Sequence, residues 1–219
     1  MNVYFRGLLR KRQSFFLSIG RMNHVFRLKD TVVWKPFFAL LTCRKNLAII
    51  GHEGVDKMKV AVLMGSDSDW PILKPAVELL KQFGVEPVVK VASAHRTPSM
   101  VRDFVMEADH NKEFAAFIIA AGAAAHLAGV VASYTIKPVI GVPVNATPLN
   151  GMDALLSTVQ MPSGVPVASM AVNGAKNAAI FAAEILAIHD ASIAEALMDY
   201  REKMVLDIEA KAARVAAQL

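Results

Sequence analysis

The chain has 219 residues, 24 basic and 19 acidic, and one cysteine, Cys43. That length suits one well-buried domain plus an appendage, and a lone thiol builds neither a disulfide framework nor a thiolate metal site, so a reducing, cytoplasmic setting is expected. The net charge of +5 is uneven: eleven Lys/Arg stand against Asp30, Glu53 and Asp56 in Met1–Lys57, leaving 13 basic and 16 acidic residues beyond it, so the basic charge is not a patterned nucleic-acid face.

Residues 1–57 are Arg-rich and acid-poor, with scattered aromatics and no sustained period. A transit-type leader, a start codon placed too far upstream and a partner-binding extension would each give such a segment. Few serines and no amphipathic period favour the upstream start, with Met58 as the natural first residue and 1–57 as a non-native or disordered leader.

From Lys59 onward, apolar strand-like runs alternate with helix-compatible segments. The runs are Val60–Met64, Pro87–Ala92, Phe114–Ala121, Pro138–Val144 and Val165–Val172. Such alternation predicts βαβ units and a parallel sheet. In the first helix Ser68 or Asp69 is placed to cap and Pro71 suits the first turn. Ile72, Leu73, Ala76, Val77, Leu79, Leu80 and Phe83 then recur at helical spacing before Gly84.

Phe114 to Ile136 carries no charged residue and by length alone could span a bilayer. Its Ala and Gly content and His126 favour a buried strand followed by a helix, so no membrane span is expected. The segment 191–219 predicts an Ala/Glu/Lys-rich helix with Ile193, Leu197, Tyr200, Met204 and Ile208 on or near one face. It either packs on another subunit or folds back on its own sheet.

In an open parallel sheet ligands bind beyond the carboxyl ends of the strands. After the first strand stands Gly65-Ser66-Asp67-Ser68-Asp69-Trp70, whose hydroxyls and backbone N–H groups can cradle a phosphate and whose carboxylate can accept from ribose hydroxyls. Helix capping alone accounts for one of these polar residues rather than four. The run is neither a Walker loop nor a dinucleotide fingerprint.

After the second strand stands Ser93-Ala94-His95-Arg96-Thr97-Pro98. Thr97 can cap a helix starting at Pro98. Arg96 suits a phosphate, and His95 can take and give a proton near neutrality. After the third strand, Gly122-Ala123-Ala124-Ala125-His126 offers small residues that admit a ligand close to the backbone, or alternatively a tightly packed Ala/Gly helix with a core histidine. Gln160-Met161-Pro162 could lid or line the pocket. The remaining histidines, His24, His52, His110 and His189, have no metal-ligating spacing.

These three strand-end motifs, with Ile140-Gly141-Val142-Pro143-Val144, Asp153-Ala154-Leu155-Leu156-Ser157 and Val159-Gln160-Met161-Pro162-Ser163-Gly164-Val165-Pro166, resemble the class I PurE family. Its members are the N5-carboxyaminoimidazole ribonucleotide mutases of purine biosynthesis. The likeness runs from about Met58 to Asp190 and implies a 58–190 catalytic unit, with 191–219 as a subunit-contact helix.

It also implies a three-layer flavodoxin-like α/β fold, a homo-octamer with sites at subunit contacts, and no metal or organic cofactor. By resemblance, Ser66, Ser93 and Arg96 would hold the 5′-phosphate, Asp69 with Ser68 beside it the ribose end, and His95 would be the general acid/base. Gly122, Ala123 and His126 would enclose the imidazole ring and the migrating CO2. Coupling to the synthetase that forms the carbamate is a further expectation. The sequence departs from the family pattern at Ala123 and Ala128, where Gly and Pro are usual, and at Asn173-Gly174-Ala175, where the last βα unit starts short.

Two other readings are a carboxylase of the same fold that uses free CO2 and a non-catalytic nucleotide-binding module. Turnover of the carbamate separates the first, and nucleotide binding that survives loss of His95 separates the second.

Overall fold

The computed structural model describes residues 57–218; the leader, with Cys43, His24 and His52, lies outside them. The apolar run KVAVLM forms β1 (Lys59–Met64), buried almost throughout because helices cover both of its faces. A 3₁₀ turn at Asp67–Asp69 leads into α1 (Trp70–Gln82), followed by β2 (Glu86–Val91), α2 (Pro98–His110) and β3 (Phe114–Gly122). Then come α3 (Leu127–Ala132), β4 (Val139–Val144), α4 (Met152–Val159), β5 (Ala168–Ser169), α5 (Ala175–Ala187) and α6 (Ala191–Ala216).

The strands pair in parallel in the order β2-β1-β3-β4-β5, the doubly wound arrangement expected for a flavodoxin-like fold. Alternation along each strand sorts the core into two layers. Val60, Val62, Met64, Ile118, Ala120, Ile140, Val142 and Val144 pack with α1, α5 and the first turns of α6. Ala61, Leu63, Phe117, Ile119 and Val139 point the other way, toward α2 and α3. Each fully buried Leu, Ile or Phe stabilises the fold by roughly 1.5–3 kcal/mol.

Helix α1 ends as its sequence predicts. Gly84 takes a left-handed φ of 81°, its N–H donates to the Lys81 carbonyl, and the Val85 N–H donates to that of Leu80. These paired bonds satisfy carbonyls that a helix end otherwise leaves open.

The fifth strand is much shorter than the expected Val165–Val172. Only Ala168 and Ser169 pair with Ile140 and Gly141. Pro166 has no N–H to donate, and beyond Ser169 the edge is held by single bonds from the Met170 N–H to the Gly141 carbonyl and from the Asn173 N–H to the Pro143 carbonyl. Pro143 is tolerated inside β4 because its ring nitrogen faces the side where this ladder has already ended.

The uncharged stretch 114–136 resolves into β3, a loop and α3, and no helix among the described residues is long and apolar enough to cross a membrane. The first half of the last helix folds back on its own sheet. Ile193 and Leu197 are buried in the core, and the Tyr200 ring meets Phe83 edge-on at 5.5 Å. Every residue from 201 to 218 is exposed, Met204 and Ile208 included.

Candidate active site

The three loops singled out in the sequence meet at the carboxyl ends of β1, β2 and β3. They line a cleft of about 340 Å³ with Gly65, Ser66, Ser68, Asp69, Ser93, His95, Arg96, Gly122 and Ala123 on its walls.

In the first loop the cap falls to a different residue from those expected. Ser66 Oγ accepts from the Ser68 N–H at 3.4 Å and starts the 3₁₀ turn, whereas Asp69 sits at the N-cap position of α1 without a side-chain bond to the helix. The Asp69 side chain is therefore not used in capping. It is buried, at 6% exposure. Burial pushes its carboxyl above the ordinary carboxylate range, against the lowering effect of bonds from the Ser66 backbone and the Ser68 hydroxyl; the nearby Asp67 charge adds to the rise.

In the second loop Thr97 does not cap α2 either. Its Oγ1 accepts from the Ser93 N–H at 2.9 Å and donates to the Ser93 carbonyl at 3.1 Å, closing Ser93–Thr97 into a tight ring. Arg96 Nη2 donates to the Gly65 carbonyl at 3.0 Å, and Arg96 Nε reaches Ser93 Oγ at 3.4 Å. The guanidinium thus ties the first loop to the second and remains exposed, with donors to spare for an anion.

The third loop leaves β3 at Gly122, where a Cβ would lie 2.6 Å from the Ala146 methyl, so no larger residue fits without displacement. Ala123 follows with φ 52°, a left-handed conformation that alanine rarely adopts. His126 then occupies the N-cap position of α3 without a side-chain bond to the helix. His126 Nδ1 lies 2.9 Å from His95 Nε2, with the rings edge-on at 86° and centroids 5.0 Å apart. Two imidazoles at that distance share one hydrogen: one nitrogen carries it and the other offers a lone pair. Both rings are exposed and free to meet a ligand.

Ala146, from the loop after β4, also lines the cleft, and sequence reading missed it. The signal was available, since this loop too leaves a strand's carboxyl end. Gln160 and Met161 are not brought to the cleft within one chain. They border a separate hollow of about 480 Å³ with Gly129, Val130, Ser133 and Leu156, a hollow that touches the cleft's neighbourhood only through His126. His110 bonds the Met106 carbonyl within α2, and His189 follows the end of α5, both away from these loops. Among the described residues no three His, Cys, Asp or Glu side chains are grouped to hold a metal ion.

A doubly wound parallel sheet with hydroxyls, a guanidinium, a buried carboxylate and paired imidazoles at one switch-point crevice defines a class: proteins that bind a phosphorylated small molecule and can move a proton on it. The family model for AIR carboxylase matches residues 59–206, and the chain belongs to that family. It is 56% identical over 145 residues to the N5-carboxyaminoimidazole ribonucleotide mutase of Methanocaldococcus jannaschii, covering 66% of this chain and 89% of the relative. With the Thermotoga maritima protein of the same name it shares 48% over 157 residues, 72% of this chain and 91% of the relative. A crystal structure of Treponema denticola PurE superposes with a TM-score of 0.67 at 30% identity, covering 72% of this chain and 98% of that one.

Proposed function

We propose that this protein is an isomerase of purine biosynthesis that converts N5-carboxyaminoimidazole ribonucleotide to 4-carboxy-5-aminoimidazole ribonucleotide. The observation that carries the reading is His95 on the cleft wall with the His126 ring 2.9 Å from its Nε2, beside the Arg96 guanidinium.

Ser66, Ser93 and Arg96 hold the 5′-phosphate. Asp69, with the Ser68 hydroxyl on its carboxylate, accepts from the ribose hydroxyls. The ring then lies along Gly122, Ala123 and His126. His95, starting protonated, gives its proton to N5 as the bond between N5 and the carbamate carbon breaks, and the CO2 stays in the pocket. C4 attacks the CO2 carbon, and His95 removes the C4 proton, which restores the aromatic ring. The bond to His126 lets the second imidazole share the positive charge so formed. Trapping CO2 requires that water be kept out, and the Ala121, Ala124, Leu127 and Ala146 side of the cleft supplies an apolar wall.

Residues 58–190 form the catalytic unit in this reading, and the working form is a cytoplasmic homo-octamer. Supporting the assembly, Met152, Leu156 and Val159 stand 49–56% exposed along one face of α4, and Met204, Val205, Leu206 and Ile208 in the second half of α6 stand 51–62% exposed. Coupling to the carbamate-forming synthetase is part of the same proposal, since the carbamate is labile in water. The mass of the assembly by light scattering tests the octamer.

The deciding experiment is turnover of the carbamate by the full chain and by His95→Asn. Conversion by the wild type, reduced about 10²–10⁴-fold in the variant, is expected. Inactivity of both with nucleotide still bound would instead make the chain a non-catalytic binder.

A further inference from the structure

We infer that Ala123 is a specificity-determining residue that sets the room available to the heterocyclic ring; this rests on the assignment of the ring to the Gly122–His126 loop. The third loop imposes a left-handed backbone at position 123 whatever residue stands there. On one side Gly122 is pressed against the Ala146 methyl and the Val144 carbonyl, with no space for a Cβ. On the other, Ala125 is buried at 1% exposure. The N–H groups of Ala125 and His126 bond back to the carbonyls of Ala123 and Ala124, at 2.9 and 2.8 Å.

Glycine is the residue such a site favours, and alanine is strained there. Two other non-glycine residues among the described ones share this conformation, Asn150 at 54° and Asn173 at 58°, and asparagine tolerates it far better. The methyl of Ala123 therefore opposes the local fold. Ala123 is exposed and lines the cleft, between the Gly122 end of β3 and the His126 ring. What that extra carbon changes is the space a ligand meets.

Two variants separate size from strain. Ala123→Gly removes the methyl and relieves the backbone; Ala123→Asn enlarges the side chain while keeping a residue that this protein itself places at φ near 55°. Binding of 5-aminoimidazole ribonucleotide, which has the ring, is compared with binding of ribose 5-phosphate, which lacks it, by calorimetry on the full chain. The glycine variant is expected to bind the ribonucleotide roughly 3–10-fold more tightly and to melt about 2–4 °C higher. The asparagine variant is expected to bind it roughly tenfold or more weakly. Ribose 5-phosphate affinity stays within about twofold in both, because the phosphate and ribose groups lie on the other two loops.

Wild-type affinity for the ribonucleotide in both variants, or parallel changes for both ligands, would overturn the inference. Carbamate turnover is measured alongside. An inactive wild type that still shows the binding asymmetry removes the mutase reading and leaves the ring pocket standing, whereas an active wild type without the asymmetry removes only the role of Ala123.

Discussion

At the amino end of the sheet, Lys59 Nζ bonds Glu113 at 2.5 Å and joins the starts of β1 and β3. Lys137 Nζ donates to the carbonyls of Ala108 and Asn111, at 2.6 Å each, where α2 ends, and Thr135 donates to Asp109. At the carboxyl end, Arg96 bonds Ser93 within its own loop and the Gly65 carbonyl across to the first, with donors left over, Asp69 is buried without serving as a cap, and two imidazoles meet edge-on. The same residue types close the backbone at one end and stand ready for a ligand at the other. Polar groups that complete each other's valence build structure; polar groups left partly unpaired around a hollow build a site.

Substitutions at the two ends sharpen this contrast. The largest effect is expected from His95→Asn, a fall of about 10²–10⁴-fold in kcat with the melting temperature nearly unchanged, because the side chain is exposed. Next comes Arg96→Gln, which removes a charge-assisted contact of about 1.5–3 kcal/mol, so KM for the ribonucleotide should rise roughly 10–100-fold in steady-state assays.

Asp69→Asn should weaken ribonucleotide binding about tenfold by calorimetry and yet raise the melting temperature at neutral pH. Its folded pKa is raised by burial, so the folded state holds this proton more tightly and stability falls as pH rises through the raised value. The gain from the amide should therefore vanish in acid below the ordinary carboxylate range, which thermal melts across pH will check. A gain that persisted in acid would show that Asp69 is not strained by ionisation.

The smallest effect, and the contrast case, is Lys137→Met at the amino end. Two helix-end carbonyls lose their donor, at about 1–3 kcal/mol, so the melting temperature drops by several degrees while kcat/KM is unaltered. A loss of activity in that variant without a loss of stability would break the comparison.

The five strand positions, the helix between Trp70 and Gly84 and the three polar loops were legible in the sequence, because strand and helix periods and Gly/Pro punctuation are local signals. The roles of individual side chains within those loops were less so. Ser68, Asp69 and Thr97 all read as caps, and the cap of the first loop proved to be Ser66 while Thr97 closes a ring on Ser93. A capping residue competes with its neighbours for the same few N–H groups, and which one wins depends on where the loop must go next. Likewise Val165–Val172 has strand composition, but Pro166 and an edge position with one partner leave two paired residues.

By itself the sequence determined the βα alternation, the parallel sheet and the family of this protein, since apolar period and short motifs are carried along the chain. Only the tertiary structure decided that His126 would meet His95 across 31 positions, that Ala146 would enter the cleft, and that Ala123 would be held left-handed. It also divided the last helix at Tyr200 into a packed half and an exposed one. These are relations between segments far apart in the chain, fixed by the twist and order of the strands and by what packs between them, and no local pattern of residues encodes them.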